Sequence, residues 1–483
     1  MFRKHEQHRL IFIAIALNML VSFIVTLKHQ PISVDGILYL KSAKVYLELG
    51  IGAATKIYPW PFYSILIGIL SKILHLSLLH TAILLNVIFS SIIVVYFVLL
   101  TSTISANIKN QYWALAIILL CPFLNHERIN ILRDMGYYAF FLVSLYYFIR
   151  FLELNSNRQA ILWQISLIIA TVFRIEGLFL YFFSPIITKR NIFKLYSIAF
   201  ILIILTVIFF HSILHYGRIP ELLGYFNPIS YIQEFKSRIA QQKLTLGTIG
   251  QDNALQYMLG GLAAIFISNF IQCLGVISAL IVIYCFINIK KFSIPHYVLS
   301  GIICYVFIVF VVLGCFVFKQ FFITERYLFP LVVLFMLFIP LGLSLLWKEN
   351  KIIYKIGILL YLTLNAVSSF GQFGTSKSFI IDAGKWISDN TSESATLFTN
   401  DPLIAFYSQR NGTEYPKNFK NNHLQMNKPT TAVSYNYAAL RIKHDDQRNI
   451  INDNFTLLKS FSNNKNDKIL IYSIDKPARM ERQ

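Results

Sequence analysis

Residues 10–27 read LIFIAIALNMLVSFIVTL, eighteen positions without an ionisable side chain. A run of that length and polarity predicts a membrane helix. Similar apolar segments follow at 62–79, 81–101, 111–125, 137–152, 160–173, 177–188, 195–214, 259–287, 296–318, 327–346 and 352–371. The basic start, Met1–Arg9, ahead of the first run also fits a secretory signal. That run is too long for one, and no small-residue cleavage site follows, so a retained first helix is expected.

Composition agrees. The 483-residue chain is 56% hydrophobic and only 14% charged, with a mean hydropathy of +0.58. Soluble domains are nearer a quarter charged, so ordinary cytosolic, disordered, collagenous and coiled-coil classes are excluded. The net charge of +20, from 43 Lys+Arg against 23 Asp+Glu, would suggest nucleic acid in a soluble protein. Here membrane lipid is the expected surroundings, and no nucleic-acid partner is predicted. Five cysteines (121, 273, 285, 304 and 315) lie in apolar stretches without metal-ligand spacing and read as packing residues.

After residue 371 the composition changes. Residues 372–483 carry 15 Lys+Arg, 11 Asp+Glu, many Asn and no long apolar run. The pattern predicts a small α/β domain: a helix at Phe379–Asn390, a strand at Ala395–Asn400, and a helix capped by Asp401 through Gln409, with Gly412 beyond it. Further strands are expected at Ala432–Tyr435, Phe455–Phe461 and Lys468–Ile474. The expected architecture is a polytopic α-helical membrane domain over 1–371, with an outer loop at 28–80, followed by the polar domain 372–483.

Lysine and arginine in short loops set orientation. Two readings compete: either 62–79 lies along the outer surface and 160–188 is two short helices, or 62–79 spans and 160–188 is one kinked helix. Both place Lys189, Arg190, Lys194, Lys290, Lys291, Lys348, Lys351 and Lys355 inside and the C-terminal domain outside. The first is preferred because it gathers most carboxylates of the membrane part on the outer face, and it gives eleven spanning helices.

Charge beside or within membrane segments marks function by default. Four clusters stand out. Asp35, in Ser33-Val34-Asp35-Gly36-Ile37-Leu38-Tyr39, reads either as a general base at the membrane edge or as the N-cap of a helix over 36–49. His126-Glu127-Arg128 with Arg133-Asp134 reads either as a solvated turn or as a site. Arg174-Ile175-Glu176-Gly177 sits inside an apolar stretch, as a buried structural pair or as a phosphate or sugar contact. Glu325-Arg326-Tyr327 opens a late helix, where Arg326 would pair with phosphate or with Glu325. No phosphate loop, nucleophile elbow, zinc helix or dinucleotide fingerprint is present. His211 and His215 lack partners at metal-ligand spacing.

At these residues the chain resembles the polytopic GT-C glycosyltransferases, of the type that includes dolichyl-phosphate-mannose protein mannosyltransferases and lipid A aminoarabinose transferases. Asp35 through Tyr39 followed by Pro59-Trp60-Pro61-Phe62-Tyr63 is similar to that family's first outer loop. Arg133-Asp134 resembles its second acidic loop, Arg174-x-Glu176-Gly177 an internal step, and Arg326-Tyr327-x-x-Pro330 a late segment. The similarity, including Ala405-Phe406-Tyr407-Ser408-x-Arg410 in the tail, covers most of the chain as a pattern.

The resemblance implies an inverting transfer of a sugar from a polyprenyl-phosphate donor to a hydroxyl of a glycan, lipid or protein acceptor, on the outer face of the cell (inner) membrane. Asp35 would be the catalytic base, with Asp134 as second acidic residue, orienting the acceptor or supporting an arginine. Arg133, Arg174 and Arg326 are the candidates to stabilise the phosphate, with Glu176 and Glu325 beside them. Tyr39 and Tyr58 would form a stacking wall with Trp60. No cofactor is implied. A divalent cation would lack a clear ligand set, because Gly36 stands where many members carry a second acid. The rival class is a transporter or flippase for lipid-linked or anionic sugars, against which no internal inverted repeat is evident. O-antigen ligases or polymerases and a non-catalytic scaffold are further alternatives.

Overall fold

The computed structural model describes residues 2–28, 30–187, 228–371, 376–410, 435–442 and 455–474. The expectations for segment 195–214, for His211, His215 and Gly412, and for most of Ala432–Tyr435 lie outside these residues. The chain divides into two compact units: Met1–Val25, Tyr39–Arg128 and Leu132–Phe370 form the first, and Thr26–Leu38, Ile129–Ile131 and Gly371–Gln483 the second.

The first unit is a helical membrane domain. Among the described residues, seven helices are long and apolar enough to cross a bilayer: His5–Thr26, Leu78–Ile104, Asp134–Leu154, Ala254–Leu274, His296–Gln320, Glu325–Lys348 and Ile352–Phe370. Three shorter apolar helices are Phe62–Leu74, Gly177–Ile186 and Val276–Ile287. A span needs about 20 residues, so length alone does not support the expected eleven. The reasons are local. Segment 111–125 breaks at Cys121, because Pro122 cannot continue the ladder and starts its own short helix, Pro122–Glu127. Segment 160–188 breaks at Arg174, whose backbone is extended, giving the two helices Asn157–Phe173 and Gly177–Ile187. Phe62–Leu74, which the eleven did not include, has thirteen residues and ends at a left-handed His75.

Apolar side chains face outward along several helices: Phe12, Phe23, Ile303, Phe307, Leu359 and Leu360 are all more than half exposed. Contiguous exposure of this kind is stable in hydrocarbon and costly in water. Inside, polar side chains bridge helices. Asn18 Nδ2 donates to Ser90 Oγ (3.0 Å), and Trp163 Nε1 donates to Tyr305 Oη (3.1 Å), which in turn donates to Ser144 Oγ (3.1 Å). Four of the five cysteines are buried, and Cys315 is exposed.

The second unit contains the expected small α/β fold. Its sheet has the order β1 (Leu397–Thr399), β2 (Tyr437–Ile442), β4 (Lys468–Ile474), β3 (Phe455–Ser462). β1 and β2 run parallel, and the other pairs antiparallel. Helices Ser378–Asn390 and Pro402–Ser408 close a core of Ile380, Ile387, Leu397, Ile404, Ala439 and Ile471. Asp401 caps the second helix, accepting from the Leu403 amide at 2.8 Å. The second strand of the sheet lies at Tyr437–Ile442. Its Ala-rich sequence has weak strand propensity, which pairing on both sides overrides.

Candidate functional site

The densest charge cluster of the first unit is built on the Arg174 break. Ending Asn157–Phe173 in extended backbone turns the Arg174 side chain toward the start of Asp134–Leu154. There its guanidinium pairs with Asp134 Oδ1, while Nη2 reaches Glu176 Oε1 at 2.6 Å and Nε reaches Oε2 at 3.3 Å. The Arg174 and Asp134 side chains are each 5% exposed, and Glu176 24%. Gly177 permits the tight turn: a Cβ there would meet the Thr171 backbone nitrogen at 2.8 Å. Aromatic faces complete the cation's surroundings. The Arg174 guanidinium lies 4.4 Å from the Tyr327 ring centroid and 5.8 Å from that of Tyr137. Burial opposes ionisation of Glu176, but the Arg174 charge, assisted by Arg133, outweighs it and holds the carboxyl below its usual range.

Of the alternatives left open by the sequence, this geometry is that of a buried structural pair at Arg174 and Glu176. Both edges of the Arg174 planar fork face carboxylates. Asp134 is a buried partner of that arginine. Arg133 stands differently. Among the described residues it forms no ion pair, and its guanidinium lies 5.5 Å from the Tyr58 ring. Tyr58 in turn meets Tyr39 edge-on at 5.1 Å, and Tyr39 meets Tyr63 at 5.4 Å. Trp60 is turned away from this group and donates from Nε1 to the Val172 carbonyl (2.6 Å). The aromatic wall is therefore Tyr39, Tyr58 and Tyr63.

The late segment joins the cluster through its tyrosine. Tyr327 stands between Arg174 and Arg326, whose guanidinium is 5.4 Å from the same ring. The Arg326 carbonyl accepts from Tyr138 Oη (2.6 Å), tying two helices together. Glu325 sits half-buried in the first turn of Glu325–Met336, where a carboxylate is favoured by the helix dipole. From Arg174 and Glu176 a narrow seam of about 20 Å³, room for roughly one water, runs along apolar Ile308, Val309, Leu313 and Phe316.

The His126-Glu127-Arg128 stretch is not a solvated turn. Arg128 is buried; it donates to Ser22 Oγ (2.6 Å), Ser90 Oγ (2.9 Å) and Asn125 Oδ1 (2.8 Å), and among the described residues it forms no ion pair and its Nη2 has no partner. Burial pulls its pKa down to about 10. Sequence reading singled out the charges and missed Tyr137, Tyr63 and the serine cage of Arg128. The available signal was chemical: a cation that becomes buried between apolar segments requires polar partners.

Asp35 belongs to the second unit. It lies in the first turn of helix Val34–Leu49 and is half-buried. It is not the cap: Ser33 Oγ accepts from the Gly36 amide (3.0 Å), and the Ser33 carbonyl accepts from Ile37 N (3.2 Å). Among the described residues no three His, Cys, Asp or Glu groups gather where they would share a metal ion. No protein-family model matches the chain, and no curated protein matches it.

Proposed function

We propose that this chain is an inverting membrane glycosyltransferase of the GT-C type, moving a sugar from a polyprenyl-phosphate donor to an acceptor hydroxyl at the outer membrane face. The observation that carries the reading is the division of labour among the arginines. Arg174 is neutralised by two carboxylates, while neighbouring Arg133 keeps its charge against an aromatic wall at the edge of an apolar helical domain. A cation held beside the Tyr58 ring, with no ion pair among the described residues, suits a phosphate that must leave with its negative charge. Tyr39, Tyr58 and Tyr63 supply faces on which a sugar ring stacks.

Asp35 takes the base role. Ser33 performs the capping, so the carboxylate need not. In this scheme Asp35 accepts the proton of the acceptor hydroxyl as that oxygen attacks the anomeric carbon. The bond from that carbon to the carrier phosphate oxygen breaks on the opposite face, and the carrier phosphate departs. A single displacement requires one base and no covalent enzyme intermediate. The extracytoplasmic placement of the C-terminal domain rests on the distribution of Lys and Arg in short loops, whereas the outer location of the 130 loop and the eleven-helix count rest on the reading that gathers most carboxylates of the membrane part on one face.

The test is to incubate purified full-length protein with a panel of polyprenyl-phosphate sugars and follow carrier-phosphate release. Release from one donor, abolished in Asp35→Asn with membrane insertion unchanged, is the expected result. Uptake of a lipid-linked sugar into vesicles without release would instead support the transporter reading, and full activity of Asp35→Asn would end the base assignment.

A further inference from the structure

Residues Thr26–Leu38 pack with the C-terminal unit rather than with the helical domain. They connect helix His5–Thr26 to helix Val34–Leu49, and their described residues between the two helices are irregular. A segment of that kind is ordinarily mobile, whereas a general base has to be held within a fraction of an ångström. The contacts that hold it come from far along the chain. The Ile32 amide donates to Tyr407 Oη at 3.1 Å across 375 residues. Lys28 Nζ donates to the Gly371 carbonyl at 3.5 Å. Ile37, two positions after Asp35, packs against the core formed by Phe379, Ile380, Leu403 and Ile404. On the other side, Gly36 lies against Ile131, leaving little room for any larger residue.

Tyr407 is itself firmly placed. Helices Ser378–Asn390 and Pro402–Ser408 approach so closely that a methyl group at Gly384 would overlap the Tyr407 Cβ. Arg410, just past the second helix, ties back to the first by donating to Thr391 Oγ1 (2.8 Å) and to the Thr391 (2.6 Å) and Ile387 (3.2 Å) carbonyls. The phenol is thus carried on a rigid helix pair, aimed at a backbone amide three residues before Asp35.

We propose that the C-terminal unit is a clamp for the Asp35 segment, with Tyr407 as a positioning residue that fixes the entry into helix Val34–Leu49 through the Ile32 amide. This assignment rests on the transferase reading for its catalytic consequence, but the clamp itself is a structural property that can be measured without turnover.

The experiment compares full-length wild type with Tyr407→Phe, which keeps the ring and its packing and removes only the hydroxyl, and with Ile37→Ala, which removes the apolar contact. Amide hydrogen exchange is followed over residues 30–36 and, as control, over Ser378–Asn390. Transfer kinetics are measured with the donor found active. Tyr407→Phe should exchange faster over 30–36 with the control helix unchanged. Its kcat should fall roughly three- to tenfold, the worth of one hydrogen bond, with the donor KM unaltered. Ile37→Ala should give the same pattern, larger. Unchanged exchange over 30–36 in both variants overturns the clamp. Faster exchange with unaltered kcat overturns Tyr407 as a positioning residue. A wild type inactive with every donor sinks the transferase reading and with it the catalytic half of the proposal, while the exchange comparison still decides the clamp.

Discussion

Arg174 and Arg133 differ by what faces them, and the difference is measurable. Replacing Arg174 with Met would strand Asp134 and Glu176 together out of water. Breaking a buried pair costs about 3–5 kcal/mol, so a large drop in the apparent melting temperature of the detergent-purified protein is expected. Arg133→Gln removes no ion pair. Its expected effect is on turnover and donor KM, at least tenfold in kcat/KM, with melting nearly unchanged. Glu176 gives a pH signature. Its carboxyl is held below the ordinary range, so its stabilising contribution is complete above that range and fades as pH falls through the depressed value. Glu176→Gln should flatten the acid limb of a plot of stability against pH and leave the neutral region comparatively flat.

At the scale of elements, the helix break at 174–176 and the buried Arg128 make a useful contrast. Both place an arginine inside an apolar domain, but among the described residues only the first is ion-paired to carboxylates. Removing a hydrogen-bonded buried cation leaves its acceptor oxygens short of a donor, which costs about 1–3 kcal/mol. Arg128→Met should therefore cost about 1–3 kcal/mol, set by the serine and asparagine oxygens it leaves behind, less than Arg174→Met, and thermal unfolding of the two variants would show the gap. The breaks themselves were partly legible in the sequence. Pro122 announces one, and Arg174-x-Glu176-Gly177 announces the other. The cap of helix Val34–Leu49 was not, because Ser33 and Asp35 are both good capping residues and only the first hydrogen-bonded turn decides between them.

For the whole molecule, the apolar runs and the switch to a polar tail were readable because composition acts along the chain. The same holds for three of the four strands of the tail. What composition could not show is which distant segments pack together: nothing in residues 26–38 or 129–131 marks them as belonging with residues beyond 371. Of the proposed site, the ionisable residues were legible, since charge in an apolar context is conspicuous. Their partners were not, because Asp134 and Arg174 meet only once two helices are packed. Orientation is testable at this scale. Asn130→Cys in an otherwise cysteine-free background should react with a membrane-impermeant reagent added from outside intact cells; labelling only after the cytoplasmic face is opened would reject the reading in which 62–79 lies along the outer surface and would separate Asp134 from Asp35.

The bond between Ile32 and Tyr407 also bears on biogenesis. At about 5–20 residues per second, the ribosome completes the acceptor of that bond tens of seconds after the donor has been made. The first loop must therefore wait, unsupported, while the helices between are threaded into the bilayer. Shortened polypeptides that stop before residue 371 are expected to insert and yet stay immature, making the last-made portion the finishing step of assembly.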